Sequence, residues 1–397
     1  MVQSFLHETQ FFLLFPTINT QLQTTNNMKH LYDTITNIPH KTYTHDTHTT
    51  HGDVRHTQTS KNNTVIVIGM NVEKLVPIGW LAHIVSCHFI FRHIRNHLVR
   101  TILTLMPCLL LSYIGCRDLP QLRMSSFIIT STYWIMSMRI IHLIIFSAND
   151  LRTFYSFIFK VFWTLFPVVR CESTDKQWSP IFDFILGSVK MIINHWIVRW
   201  LINCEPSENY PRMIMVSIMI LTSTFLSDFH ISLVRFVTRD RYTLLSINNY
   251  PLLSKSLREF WGRRYNRLTS TVFHESIFQP VQSYLSSSTI AALTTFIFSG
   301  LLHAHIASVL INDTQSIVST FTFFLLQGIA CCLEKHLVIR LPAPLGWLAT
   351  YLFLLVTIPL CMAPYTRLGP AYFDLNHPLL FDAQWLPKLP IPKSCLQ

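Results

Sequence analysis

The stretch TTFIFSGLLHAHIASVLI sets one histidine, His303, inside an apolar run with no Lys, Arg, Asp or Glu between residues 290 and 311. An imidazole with its unperturbed pKa of about 6.5 is suited to proton transfer close to neutral pH. In an apolar setting the uncharged ring is the favoured form, so His303 reads as a neutral general base. Ser299 and Gly300 come one turn earlier and leave room beside the ring. The plainer reading of a lone histidine in such a run is a hydrogen-bonded packing residue. His305 follows two residues on, roughly 200° round a helix, so the two rings cannot face one cavity.

A second element, PLLSKSLREFWGRRYNRLTS at residues 251–270, packs Phe260, Trp261 and Tyr265 among Arg258, Arg263, Arg264 and Arg267. Phe260, Arg263, Arg264 and Arg267 recur at helical spacing and would gather on one side. Guanidinium groups bind phosphate in a fork, so a phosphate-bearing ligand fits this segment. A basic, aromatic stretch at a membrane interface fits it as well. Two further sets of polar residues share helical faces: Asp183, Gly187, Lys190 and Asn194, then Ser217, Thr224 and Asp228. These faces read either as the lining of a polar cavity or as helix-to-helix hydrogen bonds with an Asp–Lys pair.

The elements that must position these groups are membrane helices. Of the 397 residues half are hydrophobic and 13% charged, against about 25% charged in a soluble domain. The formal charge of +11 is broken up by apolar runs. It therefore suits positive-inside loops rather than nucleic acid. A spanning helix needs about 20 mainly apolar residues. Nine segments approach that: 76–91, 99–115, 125–146, 154–169, 181–202, 213–237, 290–311, 316–333 and 345–365. The shortest are 76–91 and 154–169, and the latter carries Lys160. Seven Lys or Arg against three acids put 238–289 in the cytoplasm. Arg92, Arg95 and Arg100 also look cytoplasmic. Nine spans would set these two basic regions on opposite sides. Eight spans are therefore expected, with one weak segment interfacial or re-entrant.

Residues 1–62 differ from the rest, with 14 threonines and seven of the 19 histidines. They read as a disordered, low-complexity tail with no signal peptide and no ordinary metal-site spacing, and Met70 is a second candidate start. The membrane unit is expected over 63–368, followed by a C-terminal tail, 369–397. The nine cysteines show no C-x-x-C pair. They read as reduced, small apolar residues.

Two segments resemble a known family. SLREFWGRRYN is similar to the signature of the wax synthase branch of the membrane-bound O-acyltransferases, and TFIFSGLLHAHI to that branch's later S-G-x-x-H helix. The detailed resemblance covers residues 247–366, and upstream only the hydropathy agrees. It implies an all-α, polytopic bundle with an internal reaction chamber. The implied activity is transfer of a fatty acyl group from acyl-CoA to the hydroxyl of a long-chain alcohol or other lipid, giving wax or related esters. Acyl-CoA is then a co-substrate, with no cofactor and no metal. Carried over by motif, the family histidine is His303 and the family asparagine Asn266. Trp261, Arg263, Arg264, Tyr265 and Arg267 fall on the acyl-CoA side. Tyr265 stands where the plant-type motif has Trp. An acidic residue of the pattern is absent at Ala304, which leaves the partner of His303 open.

An endoplasmic-reticulum location is expected from the same resemblance. The acceptor is open among long-chain alcohols, diacylglycerol, sterols and hydroxylated secondary metabolites, and so are acyl length and oligomeric state. A transporter would show two related halves, yet neither motif has a counterpart in the first half. A catalytically silent lipid-binding relative would not need both Asn266 and His303.

Overall fold

The computed structural model describes residues 72–147, 153–171, 178–203, 207, 209–336 and 341–367. The expected tails, 1–62 and 369–397, lie outside the described residues. Twelve helices are used below: α1 Val72–Phe89, α2 His97–Arg117, α3 Met124–Ile141, α4 Phe154–Phe162, α5 Pro180–Asn203, α6 Tyr210–Thr222, α7 Phe225–Thr238, α8 Arg267–Phe273, α9 Gln279–Leu285, α10 Ser288–Leu310, α11 Thr314–His336 and α12 Ala343–Thr366. One three-residue ribbon interrupts them, β1 Val168–Arg170 antiparallel to β2 Tyr242–Leu244, with Val169 opposite Thr243.

Among the described residues eight stretches are long and apolar enough to cross a membrane: Leu75–His93, His97–Arg117, Met124–Phe146, Pro180–Leu201, Tyr210–Thr238, Ser288–Leu310, Thr314–His336 and Ala343–Thr366. The chain is an integral, multi-pass membrane protein. The ninth candidate, 154–169, is the segment that drops out. It is only the short helix α4, running through Trp163 and Pro167 into β1. The other weak candidate, 76–91, falls within Leu75–His93, which is long and apolar enough to span. With four spans between them, Arg92, Arg95 and Arg100 now share a side with the basic 239–287 interval, which removes the charge conflict.

Small residues set the closest helix pairs. A Cβ on Gly300 would lie 2.9 Å from the Phe321 ring and 3.3 Å from the Phe321 carbonyl, and one on Gly328 would lie 2.6 Å from Phe296 Cβ. Without a hydrophobic drive between spans, such close approach of backbones is the main packing device. It fixes α10 antiparallel against α11 at two levels. The α5–α7 pair uses Gly187 in the same way, with Phe225 O 3.2 Å from the added Cβ.

The 257–285 interval enters the bundle. Val272, Phe273 and Ile277 are buried in the same apolar cluster as Leu302 and Ile306 of α10 and Met219 of α6. Non-spanning backbone is tolerated at that depth only when protein surrounds it. Here α8 and α9 satisfy most of their own amide groups, and two π turns, Phe260–Arg264 and His274–Phe278, link the pieces. Glu275 pairs with Arg139 of α3, whose Nε also donates to Lys160 O at 3.1 Å. The re-entrant element is thereby tied to α3 and, through Lys160, to α4.

Candidate functional site

His303 lies 15 residues into α10 from Ser288, about 22 Å at the helical rise of 1.5 Å per residue. Its Nδ1 is 2.8 Å from the carbonyl oxygen of Ser299, one turn earlier. A carbonyl can only accept, so Nδ1 carries the proton and donates. The lone pair of the neutral ring is then on Nε2. Nε2 has no hydrogen-bond partner among the described residues. Phe324 of α11 stacks on the imidazole, centroid to centroid 4.0 Å at 26°. The partner left open by the sequence is thus a backbone carbonyl. His305 points elsewhere: Trp134 Nε1 of α3 donates to its Nδ1 at 2.8 Å. The two histidines face different helices, as their spacing requires.

The Arg/aromatic element is built from its cap onward. Ser256 Oγ accepts from Glu259 N, and the Glu334 carboxylate of α11 accepts from Leu257 N and Arg258 N. The π turn that follows buries Phe260, which stacks on Tyr265 at 5.2 Å and 8°. Trp261 lies edge-on to Tyr265 at 5.3 Å and within 5.8 Å of Phe324. Its Nε1 donates to Gln327 Oε1 at 3.1 Å. A continuous set of rings, Tyr265, Trp261, Phe324, therefore joins the motif to His303. Asn266 adopts φ 42°, ψ 60°, a left-handed conformation that Asn tolerates better than most residues. It caps α8: Oδ1 accepts from Thr269 N at 3.2 Å, and its own N donates to Asn248 Oδ1 at 3.0 Å. With Oδ1 committed, the Nδ2 donors remain for a reactant.

The four arginines divide. Arg264 is held within the fold, by Glu259 Oε1 at 2.6 Å and by the carbonyls of Asn249 and Tyr250. The Lys255 amide, then the Arg264 guanidinium, hold the Glu259 carboxyl below the usual carboxylate range. Arg258 and Arg263 are exposed. Arg267 is half-buried and lines a cleft of about 780 Å³ between α5, α7 and the 243–253 loop. Lys190, Asp228, Asp183, Arg235 and Asn248 also line it, while His303 does not. Asn248 and Arg267 are thus common to the wall of this cleft and the surroundings of Asn266.

The polar faces of α5, α6 and α7 prove to be both of the alternatives. Lys190 Nζ is 2.7 Å from Asp228 Oδ2 and 3.3 Å from Thr224 Oγ1, and Asn194 Nδ2 donates to Met219 O and Thr222 Oγ1. Arg235 pairs with Asp183 and Asp240. These contacts hold the helices together, and the ion pairs border the cleft as well. Ser217 turns back to its own helix, donating to Met213 O.

Sequence reading passed over Gln327, Phe324, Asn248 and Glu259. Gln327 and Phe324 stand in the FFLLQGIACCLEK stretch, inside the 247–366 region of resemblance, and a lone Gln in an apolar span is the signal that marks the first. Asn248 has no such signal, because its pairing with Asn266 depends on the folded loop. Among the described residues no group of three or more His, Cys, Asp or Glu could hold a metal ion, and the seven described cysteines are free thiols.

Residues 246–326 match the family described as membrane bound O-acyl transferase. Probable long-chain-alcohol O-fatty-acyltransferase 2 of Arabidopsis thaliana is 36% identical over 121 residues, covering 28% of this chain and 35% of that protein. Probable long-chain-alcohol O-fatty-acyltransferase 7 of the same plant is 25% identical over 280 residues, 66% of this chain and 79% of that protein. The long-chain-alcohol O-fatty-acyltransferase of Simmondsia chinensis is 34% identical over 93 residues, 22% and 26% respectively. In most of these matches the chain spans about a third or less of the relative's length, 35% and 26% in the first and third. The stretch that carries Trp261, Asn266 and His303 is thus the part of the chain that is similar to the membrane bound O-acyl transferase family and to long-chain-alcohol O-fatty-acyltransferases.

Proposed function

We propose that this protein is a membrane O-acyltransferase that moves a fatty acyl group from acyl-CoA to a long-chain alcohol, forming a wax ester, in the endoplasmic-reticulum membrane. The observation that carries the reading is the tautomer of His303, which leaves Nε2 as a proton acceptor deep in a charge-free span. In the reaction the alcohol oxygen attacks the thioester carbonyl as Nε2 takes its proton. The C–O bond forms, the C–S bond breaks, and the proton passes from Nε2 to the departing CoA thiolate. Asn266 Nδ2 is the donor to the developing oxyanion. No acyl-enzyme is needed, because a thiolate is already a good leaving group. Trp261 and Tyr265 wall the path between the motif and His303, and Arg267 and Arg263 receive the CoA phosphates.

Microsomes from yeast lacking its own neutral-lipid acyltransferases, given labelled palmitoyl-CoA and a panel of long-chain alcohols, diacylglycerol and sterols, test this directly. Wax ester is the expected product, and His303→Ala abolishes it at similar protein abundance. Full activity in that variant removes His303 as the base. Triacylglycerol or steryl ester in place of wax ester would change the acceptor but not the reaction.

A further inference from the structure

Gln327 is fully buried, 0% exposed, in α11. A carboxamide at that depth must satisfy both its ends within the protein. It does so between two other elements. Its Oε1 accepts from Trp261 Nε1 at 3.1 Å, and its Nε2 donates to Thr357 Oγ1 of α12 at 2.9 Å. Thr357 in turn donates to Phe353 O at 2.9 Å. Every donor in this relay points one way, from the indole of the re-entrant motif through α11 to the backbone of α12.

The relay ends where it matters for His303. The indole it holds lies 5.8 Å from Phe324, and Phe324 stacks on the imidazole at 4.0 Å. Phe324 stands one turn before Gln327 on the same side of α11. A rotation of the indole about its side-chain bonds would remove its tilted contact with the Phe324 ring, 59° between planes. Trp261 is surrounded by rings, Phe260, Tyr265, Phe296 and Phe323. Among the described residues its side chain makes one hydrogen bond, to Gln327.

We infer that Gln327 is a positioning residue for acyl transfer, acting through Trp261 and Phe324 on the orientation of His303. This rests on the acyltransferase reading of the site. Gln327 touches neither reactant in this account, so its loss acts on the rate of the chemical step and leaves acyl-CoA binding unchanged.

The test is a double-mutant cycle of Gln327→Met and Trp261→Phe in detergent-purified full-length protein, with kcat and the acyl-CoA KM measured at matched folded amounts. A neutral hydrogen bond contributes about 0.5–1.5 kcal/mol net, so each single variant is expected to lower kcat by roughly three- to tenfold. KM stays the same in Gln327→Met, and the kcat of the double variant is no lower than that of the worse single. Independent effects that multiply in the double variant, or a change confined to KM, overturn the assignment. An activity-independent readout separates this from failure of the function itself. The Trp261 indole N–H resonance, identified by its absence in Trp261→Phe, shifts in Gln327→Met. An unshifted resonance removes the hydrogen bond and the inference with it. A protein that makes no ester yet shows the shift would remove the acyltransferase reading while leaving the relay intact.

Discussion

The Lys190–Asp228 pair offers a measurement of what the polar faces of α5 and α7 are for. The two groups are 2.7 Å apart, with side chains 19% and 6% exposed. At that distance and an effective dielectric constant of about 20, the attraction is about 6 kcal/mol. Withdrawing each ion from water costs several kcal/mol, so the pair as a whole is close to neutral in stability. Removing one partner is different, since it leaves a buried charge with its desolvation cost and no counter-ion. Lys190→Met is expected to destabilise by about 3–5 kcal/mol, and Asp228→Leu by a similar amount. Lys190→Met combined with Asp228→Leu should recover most of that loss, because two apolar side chains then face each other. Thermal melts of the detergent-purified variants, followed by tryptophan fluorescence, rank the four proteins. A double variant that melts as low as the summed singles would refute the reasoning, because the two losses would then be independent and neither would come from stranding the other charge. A double variant that melts normally but forms no ester would give the pair a part in the cleft's function rather than in packing.

Three further outcomes follow from the motif segment. Arg267→Ala should raise the acyl-CoA KM by roughly ten- to hundredfold, the range for one charge-assisted hydrogen bond. Arg264→Ala should instead lower the melting temperature, since its guanidinium holds Glu259 and the Asn249–Tyr250 loop; equal effects of the two on KM would contradict this division. Glu259 is held below its ordinary value of 4.5, so its contribution is full above that pH and is lost as pH falls through the lowered value. Acid melts of wild type should therefore fall away more steeply than those of Glu259→Gln, and parallel curves would show that the carboxylate contributes nothing.

Much of this arrangement could be read before the fold was seen, and the parts that could not share a cause. Hydropathy and loop charge together required that one of the two weak segments, 76–91 or 154–169, not span, because sidedness is a global constraint, but they did not say which. The face occupied by His303, as against His305, followed from helical geometry alone. The partner of His303 was not legible, because a backbone carbonyl has no residue type to announce it. Nor was the split between Arg264 and Arg267. They stand three residues apart in one basic run, and only the path of the 245–253 loop decides which of them is neutralised within the fold. Gln327 was visible as a polar residue in an apolar helix, but its role depends on where Trp261 arrives from 66 positions away.

The π turn at Phe260–Arg264 constrains how this motif can change length. A π turn is an α-helical turn carrying one extra residue. It closes on itself here, with Tyr265 N bonded to Phe260 O at 2.8 Å. Deleting any one residue between Ser256 and Asn266 would let the turn relax to an ordinary α-helical one with little local penalty. The relaxed turn would absorb the missing residue, so the chain beyond it would keep its direction. Asn266 would keep its corner and Arg267 its place in the cleft, while the rings of the turn itself, Phe260 and Trp261, would change register. A single-residue deletion here should therefore disturb the ring stack more than the position of the asparagine.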